Sequence, residues 1–323
     1  MAADMNAGNG TILRGACAAN PILAVGSVAF DSIKNPFGEV DRVVGGSATY
    51  FSLAASFFTD VRLVAVVGDD FVERGGEVFA GRSIDTSGLQ VVPGETFRWK
   101  GVYGFDLNQR DTIYTKLNVF EDFQPVISDQ WRSSPFVFLG NIHPRLQLDV
   151  LGQVDSPRLV AADTMNLWIE TTPDDLQKVL ERVDILIIND SEARQLSKEA
   201  NLVKAARVLR RMGPATVVIK RGEHGVLMTT SQDGEFFAAP ALPLEEVFDP
   251  TGAGDTFAGG FVGYLAGCGD CCEASLARAI IYGSTLASFA VEDFSIERLL
   301  RLETEEIAER FRQFKRLTHF DEM

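Results

Sequence analysis

Six short apolar runs, most of them ending beside a glycine or a polar residue, constrain this chain more than any other feature. They occupy residues 22–28, 61–67, 136–139, 159–162, 185–188 and 217–219. Short runs without strict alternation, rich in Val, Ile and Leu, read as strands buried on both faces. Helical spacing fills the intervals, for example over 173–182 and 192–212. Thr172-Pro173-Asp174-Asp175 opens the first of these, with a capping threonine and proline in the first helical position. The alternation predicts a doubly wound, mostly parallel α/β sheet. Ligands of such sheets gather beyond the C-terminal strand ends. Here those ends carry Asp69, Asp70, Asn141, Asp163, Asn166, Asn189, Lys220 and Arg221.

One region breaks the pattern. From Glu95 to Leu117 the chain alternates, with Phe97, Trp99, Tyr103 and Phe105 on one parity, a turn at 107–111 and a return strand at 113–117. This predicts an antiparallel hairpin inserted into the α/β chain. The Gly/Ala/Asn-rich residues 1–20 lack a basic start and a long apolar core, and read as a flexible tail. A single α/β domain is expected over 21–323.

The chemistry concentrates in Asp249-Pro250-Thr251-Gly252-Ala253-Gly254-Asp255-Thr256-Phe257. This reads as a glycine turn opening onto a helix, whose free N–H groups and positive dipole end attract an anion. A carboxylate in the first turn of such a site repels phosphate, unless its task is to take a proton. Anion cradle and base together are what phosphoryl transfer to a hydroxyl requires. Asp255 is therefore the candidate base, and Gly252, Ala253 and Gly254 the candidate donors to the transferring group.

With a net charge of −15, the chain is a poor partner for nucleic acid or an anionic membrane, and a phosphate site must be built locally. No apolar run reaches membrane-spanning length. Four cysteines, Cys17, Cys268, Cys271 and Cys272, lack the further ligands a zinc site needs and read as reduced thiols of a cytoplasmic protein.

The 249–261 segment resembles the C-terminal D-T-x-G-A-G-D signature of the ribokinase/PfkB family of carbohydrate and nucleoside kinases, with Pro250 as a departure. Gly45-Gly46 ahead of a small-residue helix resembles the family's N-terminal glycine pair, and Asn189-Asp190-Ser191-Glu192 its N-x-x-E motif. The three stand in the family's order, and the resemblance spans roughly residues 21–300. It implies a ribokinase-like sheet with a small β-sheet lid formed by about 31–44 and 95–117, whose outer face can pair two copies into a homodimer. It implies ATP and Mg²⁺, with Asn189 and Glu192 organising the metal through its waters. Asp31, Gly45 and Gly46, with Asn141 and Asn166, would bind a sugar or nucleoside. Asn189, Lys220, Gly222, Gly225 and Thr251 would line the nucleotide site, with Lys220 or Arg221 reaching phosphate.

Asp249 and Thr251 are also where some relatives bind K⁺, the second half of the site falling near 284–295. Tyr50 stands where ribokinase-like relatives tend to carry asparagine, and the arginine that often follows the Asp163–Asn166 segment is absent. The expected reaction moves the γ-phosphate of ATP to a hydroxymethyl group of a small sugar. A nucleoside acceptor, or a non-catalytic regulatory protein of the same fold, are the alternatives. No G-x-x-x-x-G-K-[ST] or H-R-D set is present, and Phe257 replaces the third glycine of a dinucleotide fingerprint.

Overall fold

The computed structural model describes residues 20–75, 77–230 and 235–319. The expected tail, apart from Asn20, and Cys17 therefore lie outside the described residues. The strands are β1 (Ile22–Val25), β2 (Ala29–Asn35), β3 (Gly38–Gly45), β4 (Val61–Gly68), β5 (Ile84–Val92), β6 (Arg98–Tyr103) and β7 (Arg110–Lys116). They continue with β8 (Phe136–Leu139), β9 (Leu159–Asp163), β10 (Ile185–Asn189), β11 (Thr216–Lys220), β12 (Val226–Thr229) and β13 (Phe236–Ala239). All six apolar runs become strands of one nine-stranded sheet, ordered β13-β12-β11-β10-β9-β8-β1-β4-β5. Pairing is parallel from β11 through β5, and antiparallel only at the β12–β13 edge. From β1 the chain goes to β4 on one side and later to β8 on the other. That reversal opens the crevice where ligands of this architecture bind.

Before reaching β4 the chain leaves the large sheet to form β2 and β3. With the hairpin β6–β7 these make a second, four-stranded sheet ordered β3-β2-β6-β7. Both expected lid segments are therefore strands of one small sheet. The single-parity aromatic stripe is not kept. Tyr103 is buried, whereas Phe105 is 96% exposed, because β6 ends at Tyr103 and Phe105 falls in the turn.

Two helical expectations need correction. The 192–212 pattern is two helices, Asp190–Ser197 and Leu202–Arg211. Lys198 turns left-handed at φ 61°, and Asn201 caps the second helix through Val203 N and Lys204 N. Proline does open the helix Pro173–Leu180, but the Thr172 hydroxyl does not cap it and donates to the Trp168 carbonyl instead.

The core places the site. The helix Ser47–Ala55 is buried along its whole length, and Phe51 stacks on Phe138 at 3.8 Å between ring centres. Behind it runs the helix Ala253–Cys268, whose Gly259, Gly263 and Gly267 recur every fourth residue. A Cβ at Gly263 would stand 2.9 Å from Ala55 Cα, and one at Gly267 2.9 Å from the Phe58 carbonyl. Side chains are missing where the helices touch, so the two backbones approach closely. This fixes the N-terminus of each helix relative to the other, and both termini enter the crevice.

Candidate active site

Asp31 lies on β2, just after the chain leaves β1, and is 5% exposed. Its Oδ2 rests against Gly45 in the space a Cβ would need, which requires glycine there. Gly46, at φ 95°, turns the chain into the helix Ser47–Ala55. Burial, with Asp249 and Asp255 nearby, pushes the Asp31 carboxyl up to about 7. A carboxylate on the floor of a closed crevice is suited to accept hydrogen bonds from ligand hydroxyls.

Across the crevice, Gly252 takes φ 75° and the helix begins at Ala253. The end of the Tyr50 ring occupies the space a Cβ on Gly252 would fill. The Tyr50 hydroxyl is buried and has no hydrogen-bond partner among the described residues. Of the three expected donors, Ala253 N–H is already given to the Pro250 carbonyl at 3.2 Å. Gly254 N–H, in the first helical turn, makes no turn or cap hydrogen bond among the described residues. Lys220, at the end of β11, brings its ammonium to 2.9 Å from where a Gly254 Cβ would stand. The charge of Lys220 therefore lies over the turn, whereas Arg221 donates to the His224 carbonyl. That contrast separates the two cations, which the sequence left equivalent.

Asp255 follows, half-buried in the first helical turn. Burial, then Asp163, push its carboxyl up, while Lys220 and Arg110 pull it down. Asp163, 6% exposed at the end of β9, pairs with Lys220 at 3.3 Å. Burial disfavours the Lys220 charge, but Asp163, Glu192 and Asp255 outweigh it and keep the ammonium protonated. Asp163 was visible in sequence as a polar strand end and as the start of the family-like Asp163–Asn166 segment, but not as the carboxylate that pairs with Lys220 and acts on Glu192 and Asp255. Its alignment with Lys220 two strands away depends on sheet order.

Asn189 and Glu192 form a reciprocal cap. Glu192 N donates to Asn189 Oδ1 at 2.8 Å, and Asn189 N donates to Glu192 Oε2 at 3.0 Å. Burial and Asp163 push the Glu192 carboxyl up. Among the described residues no three His, Cys, Asp or Glu side chains converge closely enough to chelate an ion. Asp163, Glu192 and Asp255 nevertheless surround one lysine, a surplus of negative charge that a cation would offset. These residues fit an Mg²⁺ ion held by phosphates and water, with Glu192 beside it.

Asp249 accepts from Thr251 N at 2.9 Å and from Ser295 N at 3.1 Å. Its own N–H and that of Phe248 reach the Val291 carbonyl. The 249 and 291–295 segments thus abut, as a two-part cation site requires. The Thr251 hydroxyl, expected toward nucleotide, shares a 3.0 Å hydrogen bond with Tyr103 of the small sheet. Gly222 and Gly225 both take positive φ in the loop after β11, and Asn108 of the β6–β7 turn fills the Cβ space of Gly222.

The two remaining asparagines are less engaged with these groups. Asn141 accepts from Trp168 Nε1 at 2.9 Å and donates to Met165 Sδ. Asn166 is exposed at the start of the short helix Asn166–Thr171. The three described cysteines are unpaired thiols at helix ends, and burial pushes that of Cys271 up to about 11. Among the described residues no helix is long and apolar enough to cross a membrane.

Comparison with known proteins adds to this geometry. The pfkB family carbohydrate kinase profile matches residues 15–298. The cytidine kinase of Thermococcus kodakarensis is 31% identical over 268 residues, which is 80% of this chain and 94% of that enzyme. The fold resembles that of Methanocaldococcus jannaschii nucleoside kinase, with a TM-score of 0.72 at 20% identity, over 92% of this chain and 99% of the other. It also resembles Arabidopsis thaliana ribokinase complexed with ribose and ATP, with a TM-score of 0.74 at 18% identity, over 91% and 99%.

Proposed function

Because the chain belongs to the pfkB family of carbohydrate kinases, we propose that it moves the γ-phosphate of ATP to the hydroxymethyl group of a ribose-containing acceptor. Asp255 is the general base in this reading. The observation that carries it is the opposition across one crevice of Asp31, beside Gly45, and Asp255, at a helix N-terminus under Lys220. Asp31 accepts hydrogen bonds from the acceptor's ring hydroxyls and so orients its free hydroxymethyl. Asp255 takes the proton of that hydroxyl as its oxygen attacks. Its raised affinity for protons brings it near the working pH, where a general base is most effective.

Gly252 and Gly254 N–H groups and the Lys220 ammonium hold the charge that develops on the transferring group. One such donor is worth roughly 10²–10³ in rate. Asn189 and Glu192 orient the waters of Mg²⁺, which when bound supplies positive charge to the phosphates. Gly222 and Gly225 line the nucleotide side, and Asp249 with the 291–295 segment would hold K⁺.

A nucleoside is the favoured acceptor. The likeness to cytidine kinase runs over nearly all of that enzyme, and Tyr50 gives the pocket an aromatic wall beside Gly252. A free small sugar is the second reading, favoured by the buried carboxylate at Asp31. The test is ADP release from Mg-ATP across cytidine, other nucleosides, ribose and ketoses. Turnover of cytidine far above ribose supports the first reading, and the reverse order replaces it with the second.

A further inference from the structure

Asp70, in the turn of helix that follows β4 of the large sheet, gathers donors from the small sheet and its approach. Its Oδ1 accepts from Thr96 N at 2.8 Å and from the Thr96 hydroxyl at 2.6 Å. Its Oδ2 takes Arg42 of β3 at 3.2 Å and Arg98 of β6 at 3.4 Å. Arg42 reaches it from an irregular place. Two residues of β3, Asp41 and Arg42, stand opposite Ser32 alone on β2, which makes a bulge. The Ser32 hydroxyl donates to Asp41 Oδ1 at 2.6 Å and accepts from Arg42 N at 3.4 Å. Arg42 is left-handed at φ 54°, and its buried Nε has no partner among the described residues. A strained arginine with an orphaned donor costs stability, and a part-exposed ion pair returns little of it. An outlier of that kind points to function.

The bulge sets the register beside Asp31. Inside it, Asp31 pairs with Val43 and Ala29 with Gly45; outside it, Ile33 pairs with Val40. Were the outer register to continue inward, Arg42 would face Asp31 and Val44 would face Ala29. Val44 would then carry its side chain to the spot where the Asp31 carboxylate now rests against Gly45. We propose that Arg42 is a positioning residue: its ion pair with Asp70 pins the bulge to the large sheet and so holds Asp31 in register over Gly45 to receive the acceptor. This rests on the reading that Asp31 binds the acceptor. The pin is firm because Asp70 is itself fixed. Thr96, fully buried, holds one carboxylate oxygen and leaves the other to the arginines. Arg42 acts on the acceptor only through Asp31.

The test uses the full chain with Arg42→Gly, Arg42→Lys and Asp70→Asn. Glycine accepts the left-handed turn without strain, so it removes the guanidinium and keeps the backbone path. Asparagine at 70 still accepts from Thr96 but turns an amide toward the arginines. Steady-state ADP release is measured with cytidine and with ribose, beside calorimetric binding of Mg-ADP and hydrogen exchange read by mass spectrometry. In Arg42→Gly and Asp70→Asn the acceptor KM should rise roughly 10–100-fold, the worth of a hydrogen bond to a charged group, with kcat and Mg-ADP binding little changed. Amides of residues 29–45 should exchange about ten-fold faster or more, and those of β1 and β8 at the native rate. Arg42→Lys keeps a cation within reach of Asp70 and should restore part of the KM.

The assignment is overturned if acceptor KM stays within about three-fold of native in either variant, or if kcat and Mg-ADP binding are lost along with it, which marks a general loss of structure. Faster exchange spread evenly over β1 and β8 overturns it in the same way. The exchange arm needs no acceptor. If neither cytidine nor ribose turns over, the proposed reaction fails on its own account. Native exchange at 29–45 in both variants then still removes Arg42 from its role, whereas faster exchange confined there sustains it.

Discussion

Asp31 stores a measurable cost in the fold. Its carboxyl titrates near 3.8 when solvated, and burial beside Asp249 and Asp255 raises it to about 7 in the folded chain. Between those values the folded state binds more protons than the unfolded state, so stability falls as pH rises through that window. A shift of about 3 units corresponds to about 4 kcal/mol once both states are ionised. Asp31→Asn keeps the shape and removes the titration. The variant should therefore gain on the native chain by about 2 kcal/mol near pH 5.5 and about 4 near pH 8. For a chain of this size the larger figure is on the order of 8 °C in Tm.

Thermal melts of both chains without ligand, from about pH 5.5 to 8, read the difference while avoiding the isoelectric region near 4.7. The same variant should lose most turnover, because an amide at this position cannot accept the same pair of hydroxyl donors. A stability difference that stays flat with pH, or a variant less stable throughout, would refute the burial argument. Retained activity would separate Asp31 from the acceptor. Stability given up for a binding carboxylate is the trade-off expected of a functional site.

Three further substitutions probe the crevice and the helix contact behind it. Asp255→Asn should fold and bind Mg-ADP normally while losing roughly 10²–10⁴ in turnover by the ADP-release assay, and near-native turnover would remove it as the base. Tyr50→Phe deletes a buried hydroxyl that has no partner among the described residues, and should raise apo stability by about 1–3 kcal/mol in a chemical melt; a loss would mean that hydroxyl is bonded in solution. Gly259→Ala places a Cβ 2.8 Å from Ala54 Cβ and closer still to the Phe51 carbonyl, so it should cost about 1–3 kcal/mol. An unchanged Tm there would falsify the close approach of the two helices.

Much of this fold was legible because its signals are local. An all-apolar run buried on both faces has one plausible use, and six of them supplied the centre of the large sheet. The strands that escaped notice are its edges: β5, which opens Ile84-Asp85-Thr86-Ser87-Gly88, and the four-residue β12 and β13. In β5, Asp85, Thr86, Ser87 and Gly88 erase the apolar signature, whereas β12 and β13 are apolar but only four residues long, too short to stand out as runs. The break at Lys198 was hidden for a different reason. A left-handed lysine leaves no compositional mark, and the helical spacing resumes after it.

The site divides along the same line. The glycine turn with Asp255, the Gly45-Gly46 pair and the Asn189–Glu192 cap are each contiguous, so the chemistry of the turn could be read from its residues and the roles of the other two from the family resemblance those short motifs carry. Asp163 stood out only as the start of a family-like segment, and its pairing could not be read because Lys220 lies two strands away in the sheet. The β6–β7 hairpin is the extreme case. It was visible as an alternation, but an alternation does not say what its tip will touch. Nothing local says that the turn will meet Gly222 at one end and Thr251 at the other. Those contacts exist because β2 carries Asp31 into the small sheet and β6 pairs with β2 in parallel. The strand that carries Asp31 is therefore also the strand on which the β6–β7 hairpin is mounted. Any displacement of the small sheet therefore moves Asp31 together with the hairpin contacts to Thr251 and Gly222.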